Sequence, residues 1–389
     1  MSEWQTVAIG EICDLVTSGG TPLTSQKEYY HNGSIPWVKT KEVNQCRLYG
    51  TENHITQLGL DNSSAKLIPE NSIIIAMYGD GKTAGRVALN KVPVTTNQAC
   101  CNLILNKQKA NYDFVFYNLM GRYDELVSKK TGSGQQNLNG KIIKEIEIDL
   151  PSLPEQKAIA SVLSSLDDKI DLLHRQNKTL EAMAETLFRQ WFIEDTAGKT
   201  ELITLGEMIE IHDSKRIPLS KLERDKKKNG SIMYPYYGAA KIMDYVDDYI
   251  FDGDYLLLGE DGTVQDENGY PILQRANGKF WVNNHAHVLS AKAPYNNFFL
   301  WCLLSKTNIE KAVTGAVQPK INQENLRKLD FVKFDESKVL DFNDITSSML
   351  NKLNTNNSQI QTLENLRDTL LPKLMSGEVR VQYQTKEVA

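Results

Sequence analysis

The sequence has no Pro-Pro dipeptide, no Cys-x-x-Cys pair and no apolar stretch near the roughly 20 residues a membrane span needs. Each absence removes a class of function. An adenine methyltransferase needs an Asn/Asp-Pro-Pro-aromatic motif around the extruded base and a Gly-rich cofactor loop, and neither is present. Nuclease-type carboxylate–lysine clusters, helicase motifs and Ser/His/Asp spacings are equally missing from view. The opening MSEWQTVAIGE has neither a basic start nor a hydrophobic core region, so no signal peptide is expected. The five cysteines (Cys13, Cys46, Cys100, Cys101, Cys302) are odd in number and suit reduced thiols, which makes the cytoplasm the simplest compartment.

Positive charge is also in short supply, with a net charge of −5. Its distribution matters more than its sum. Residues 1–150 hold 15 Lys+Arg against 15 Asp+Glu, and residues 196–334 hold 18 against 18. The deficit lies in residues 151–195, with 5 against 8, and in residues 335–389, with 6 against 8. Two large neutral segments, each able to carry one basic face, therefore alternate with two short acidic ones. This permits contact with nucleic acid without showing it. A chain of 389 residues with 41% hydrophobic and 24% charged residues has material for two or three packed domains.

What the chain does have is a duplication. Residues 131–192, moved forward by 183 positions, fall on 314–375 without a gap. Thr131-Gly132 meets Thr314-Gly315, Gln135 meets Gln318, Asn139 meets Asn322, and Thr179-Leu180-Glu181 meets Thr362-Leu363-Glu364. Fainter echoes precede this block. Ile9-Gly10-Glu11-Ile12 answers Leu205-Gly206-Glu207-Met208, Asp80-Gly81 answers Asp261-Gly262, and Thr96-Asn97-Gln98-Ala99 is set against Asn283-Asn284-His285-Ala286.

The matching blocks have helical periodicity. Ile159, Leu166, Leu173, Leu180 and Leu187 recur every seven residues, interleaved with Leu163, Ile170, Asn177, Ala184 and Trp191. Phe342, Met349, Asn356, Leu363 and Leu370 interleave with Thr346, Leu353, Ile360, Arg367 and Leu374 in the second block. Steps of three and four are the seam of a coiled coil, and one Asn in each seam helps fix register. Each helix could pack on its own domain, but two near-copies with unpartnered stripes point to pairing with each other. The segments between them alternate short β-rich runs with Gly, Asn and Asp turns, with one helix expected near Tyr112–Leu126 and its repeat near Asn297–Lys311.

Several local motifs invite chemistry. Ala76 to Thr83 resembles a loose P-loop containing Lys82, but a P-loop leads directly into a helix, and here a strand-like run follows. An Asp-Gly turn explains both copies of this segment, so Lys82 and Arg86 read better as phosphate or base contacts. His285-Ala286-His287 offers two imidazoles on a strand with nothing else to complete a metal shell. TGSGQQN and TGAVQPK combine glycines that allow close approach with glutamines able to meet adenine or phosphate, although a plain turn explains them too. The run Lys226-Lys227-Lys228 reads as a solvated loop.

At this level the chain resembles the specificity subunits of type I restriction–modification enzymes along essentially its whole length. Ser18-Gly19-Gly20-Thr21-Pro22 followed by Gly33-Ser34-Ile35-Pro36-Trp37-Val38 resembles the opening of one class of target-recognition domain. Leu150-Pro151-Ser152-Leu153-Pro154-Glu155-Gln156 resembles the entry to the family's first conserved helix, and Leu370 to Val381 is close to the family's usual ending. The second half departs from the pattern: Phe334 to Lys338 replaces the Leu-Pro-x-x-Glu-Gln entry, and Ser214 to Pro218 stands where a Gly-x-Thr-Pro opening would be.

The resemblance implies an α+β architecture with an internal pseudo-twofold repeat. Target-recognition domains at 1–150 and 196–334 would be separated by an antiparallel coiled coil of helices at 151–195 and 335–389. Each domain would read one half of a bipartite double-stranded DNA target, while the helices set the spacer and dock two modification subunits. Two restriction subunits would join them. S-adenosylmethionine, ATP and Mg would bind those partners, leaving this chain cofactor-free, metal-free and non-catalytic, with no membrane association. An assembly adaptor or silent recombination donor without productive DNA binding is the alternative. The candidate DNA contacts are Lys39, Lys41, Lys82, Arg86 and Gln135 in the first domain, and Lys215, Arg216, Lys241, Arg275, Gln318 and Lys320 in the second.

Overall fold

The structure is a computed structural model that describes residues 4–79, 83–130, 137–194, 200–230, 232–315 and 318–382. Lys82 and Gln135 lie outside the described residues. The chain groups into two units, residues 1–171 with 361–389 and residues 172–360. Each unit is one globular domain together with parts of two long helices, Leu153–Phe188 and Glu336–Met375.

In the first unit, strands Cys13–Ser18, Cys100–Leu105, Ile73–Ala76, Val87–Asn90 and Cys46–Leu48 lie side by side in that order. All pairings are antiparallel except the last, which is parallel. The run Ile73-Ile74-Ile75-Ala76 is fully buried, as expected of a β-rich central strand covered on both faces. A smaller sheet joins His54–Ile55, Ile35–Val38 and Thr95–Thr96. Asn111 starts the helix Tyr112–Met120 by accepting from the Phe114 amide at 2.9 Å. The helix stops at Gly121 and resumes as Tyr123–Ser128, so the stretch expected as one helix is two.

The second unit repeats this plan on different strands. Its six-stranded sheet runs Ile209–Ile211, Ala286–Ala291, Phe251–Gly259, Leu273–Val282, Tyr234–Tyr237, Ile242–Val246. Asn296 caps helix Asn297–Leu304 through the Phe299 amide at 2.7 Å, and only a short 3-10 turn at Glu310–Ala312 completes the expected span. A two-stranded ribbon closes each domain, Gln5–Ala8 on Glu147–Leu150 in one and Leu202–Thr204 on Asp330–Val332 in the other.

The long helices run antiparallel. Within the second unit, Asn356 Nδ2 donates to Asn177 Oδ1 at 2.8 Å, and Asn177 Nδ2 donates to Asn357 Oδ1 at 2.8 Å. The two seam asparagines expected from the sequence thus meet each other, which pairs the Asn356 amide nitrogen and both polar atoms of Asn177, while Asn356 Oδ1 stays buried without a partner. Within the first unit, Arg367 Nη1 donates to Asp167 Oδ1 at 2.9 Å, and the Tyr117 hydroxyl donates to Asp167 Oδ2 at 2.7 Å. Asp167 and Phe188 are buried while Leu166 and Trp191 are only half-buried, so the seam leaves the strict seven-residue series. An α-helix of 3.6 residues per turn drifts about 20° per heptad, which brings the neighbouring side chain inward. Phe188 and Phe192 pack edge-on against Phe299 and Phe342, with centroids 5.1–5.7 Å apart, and so join helix to domain.

Candidate nucleic-acid interface

In the second unit, chain segments far apart in sequence converge at one end of the large sheet. The Asp261-Gly262 turn follows strand Phe251–Gly259, and Gly262 holds φ +78°, a conformation that favours glycine. Its amide donates to Pro319 O at 3.1 Å, and the Ile321 amide donates to Glu260 O at 2.8 Å. The hairpin made by Val313-Thr314 and Lys320-Ile321 is thereby laid along the turn. The turn at Asn283–His285 sits beside it, since the Glu260 amide donates to His285 O at 2.8 Å. Asn283 Nδ2 contacts Met243 Sδ at 3.5 Å, which brings in the neighbouring Gly238–Lys241 turn.

This end of the sheet carries exposed Lys215, Lys241, Asn284, His285, Gln318 and Lys320. Beneath them lies an ion network. Arg216 Nη1 donates to Glu260 at 2.7 Å and to the carbonyls of Ala286 and Asn284 at 2.8 and 3.3 Å. His287 faces Asp213 Oδ2 at 2.6 Å through Nδ1 and Ile321 O at 2.9 Å through Nε2. Both ring nitrogens thus lie against oxygens of the surrounding chain. Burial alone would raise the Asp213 carboxyl, but bonds from His287 and the Val288 amide, with Arg216 nearby, hold it below the usual carboxylate range. Asp213, Glu260 and His287 are close enough to share a cation. Their oxygens are already engaged by Arg216, Lys320 and Gln323, so the cluster is filled by the chain's own donors.

The first unit builds the same end with different residues. The Gly19 amide donates to Cys100 O at 3.2 Å and the Gly20 amide to Thr96 O at 2.9 Å. A Cβ on Gly19 would stand 2.1 Å from Thr96 O, which explains why the opening motif needs glycine there. Trp37 Nε1 donates to Gly20 O at 3.1 Å and fixes the segment from below. The Met77 amide donates to Ala99 O, and the Leu138 amide to Met77 O, at 2.8 and 2.9 Å. Lys39 lies over the Trp37 ring and donates to Asn53 at 3.1 Å; Lys41 pairs with Glu52; Arg86 donates to Asn44.

The proposed contacts thus divide. Lys215, Arg216, Lys241, Gln318 and Lys320 gather at one end of the second sheet, with Arg216 turned inward. Arg275 lies elsewhere, stacked on Phe298 and Trp301 at 5.3 and 5.7 Å beside a polar cavity of about 400 Å³ lined also by Glu181, Asp254 and Asn277. Burial pushes its guanidinium below the ordinary value, and Glu181 partly offsets this. The Lys226-Lys227-Lys228 run is partly neutralised, Lys227 pairing with Asp248 and Lys228 with Asp244. Sequence reasoning missed Gln98, Asn284 and His285 as exposed tips of this end, although the repeat between 96–99 and 283–286 pointed to the segment.

Comparison with known proteins gives a consistent picture. The model of the type I restriction modification DNA specificity domain matches residues 1–182 and again residues 198–332. The chain is 28% identical to a type I restriction enzyme specificity subunit of Methanocaldococcus jannaschii, across 98% of this chain and 94% of that one. It is 27% identical to an Escherichia coli specificity subunit across 80% and 79% of the two chains. Its fold resembles the crystal structure of a type I S subunit from M. genitalium with a TM-score of 0.57, at 19% identity, over 98% and 97% of the chains.

Proposed function

The chain belongs to the type I restriction–modification DNA specificity family, and from that premise we propose that it is the subunit that chooses the DNA sequence for a complex whose chemistry resides elsewhere. One observation carries the proposal. Both matched domains bring their glycine or Asx turns to one end of a sheet, where polar side chains stand on a rigid hydrogen-bonded frame. Such a surface reads base edges and phosphates without needing a catalytic constellation. Each domain reads one half of a bipartite duplex target, and the helix pair sets the spacer between the halves.

The helices also offer a docking surface. In the second unit, Ala182, Met183, Leu187, Ile345 and Met349 line an open groove of about 850 Å³, with Met183 and Ile345 about half exposed. The duplication places Leu366, Val162 and Leu166 at the positions matching Met183, Ile345 and Met349. Two similar apolar patches suit two copies of one partner, and we assign them to modification subunits. S-adenosylmethionine, ATP and Mg act on the modification and restriction subunits, and the assembly works in the cytoplasm. No described helix is long and apolar enough to cross a membrane.

Exchanging domains tests this reading. Replacing residues 1–150 with the first domain of another family member, in the assembled complex, should change one half of the methylated target and leave the other. A change in both halves would show a single shared recognition surface.

A further inference from the structure

The hydrogen-bond patterns of the two recognition ends correspond residue by residue, and they correct the correspondence suggested by the sequence. The Asn97 amide donates to Val38 O at 3.0 Å, and the Asn283 amide donates to Tyr237 O at 3.0 Å. Asn97 Oδ1 accepts from the amide two residues on, Ala99, at 3.2 Å; Asn283 Oδ1 accepts from His285 at 2.9 Å. The carbonyls of Ala99 and His285 accept from Met77 and Glu260, the residues that follow the paired strands. Asn97 therefore matches Asn283, and Gln98 matches Asn284, one position away from the pairing read in the sequence.

The frame is kept while the means of holding it change. In the first unit, backbone amides of Gly19 and Gly20 bind the carbonyls on either side of the turn. In the second, the Arg216 guanidinium binds the carbonyls of Asn284 and Ala286, and Ala286 matches Cys100. Two unrelated devices fix one turn geometry. At its tip each turn exposes one carboxamide side chain: Gln98 between half-buried Asn97 and buried Ala99, and Asn284 between buried Asn283 and exposed His285, whose ring is engaged by Asp261.

Resting on the function proposed above, we propose that Gln98 and Asn284 are equivalent base-reading residues, one for each half-site. Their free groups differ. The Thr21 hydroxyl donates to Gln98 Oε1, which occupies one lone pair of that oxygen, while the two N–H donors of Gln98 have no partner among the described residues. Those match the adjacent O6 and N7 acceptors of guanine in the major groove. Asn284 has no side-chain partner among the described residues, and its donor and acceptor together match N7 and N6–H of adenine. Thr21 is the positioning residue for Gln98.

The test is selection from a random duplex library by the full chain assembled with its modification subunits. Wild type should yield two short blocks around a fixed spacer; failure to do so would overturn the proposed function itself. Given those blocks, Asn284→Ala should relax one A·T position in one block, and Gln98→Ala one G·C position in the other. Discrimination at each position should fall roughly tenfold to a hundredfold. Thr21→Val should loosen the Gln98 position alone, with binding to other positions retained. Unchanged blocks in both alanine variants would overturn the inference. So would uniform weakening across all sequences, which marks a phosphate contact, or relaxation in both blocks by one variant.

Discussion

Lengthening the helix pair should lengthen the DNA spacer. Because the helices are antiparallel, with Asn177 opposite Asn356 and Asp167 opposite Arg367, an insertion in one helix alone would strip its neighbours of their partners. The insertion must be paired: four helix-forming residues after Arg175 and four after Asn357. Every seam side chain on either side then keeps its partner, including the Asn177–Asn356–Asn357 cluster. Four residues add about 6 Å at 1.5 Å per residue and turn the helix by about 400°, within 40° of one full turn. Duplex DNA advances about 3.4 Å per base pair, so the spacer should grow by about two base pairs. The assay is mapping of methylated sites by the complex carrying the double insertion. Both half-sites should be unchanged and the spacer longer. Retained activity at the original spacer would refute the idea that the helices measure distance.

Further expectations follow from particular contacts. Arg367→Leu leaves Asp167 buried with only Tyr117 as partner and should cost about 3 kcal/mol, whereas the double change with Asp167→Leu should recover part of that loss in denaturant titration. The Asp213 carboxyl, held below its unfolded value of 3.8, contributes stability present above that pH and lost as pH falls through the folded value. The melting-temperature gap between wild type and Asp213→Asn should therefore close on acidification below about pH 4. Met183→Glu should displace one of two modification subunits, read as complex mass, while the isolated chain keeps its circular dichroism. If the variant assembles fully, the groove is not the docking site.

Legibility in the sequence followed the physics of each feature. The long helices were plain because their pairing needs a fixed period, and any insertion would break the seam; hence the gap-free match of 131–192 with 314–375. The asparagine pair was visible for the same reason, while Asp167 was not, because its burial comes from drift that a strict seven-residue count ignores. The recognition ends were only partly legible. Their segments meet through strand order and hydrogen bonds between distant residues, such as Gly262 with Pro319, which no local pattern encodes. Arg216 illustrates the limit. Its charge suggested a DNA contact, yet its guanidinium binds Glu260 and two carbonyls, one of them, Ala286 O, at the position whose counterpart in the first domain is held by a glycine amide. The one-residue error between Gln98 and Asn284 arose because loops of unequal length shift any alignment made on residue identity alone.

The proposed role of this chain in the assembled complex is a two-part choice of DNA sequence. The measurement that tests it most directly is the motif bound by the assembled complex from a random duplex library, without S-adenosylmethionine or ATP. The account predicts two short specified blocks separated by a spacer of constant length and random sequence. One continuous block, or no enriched sequence at all, would contradict it.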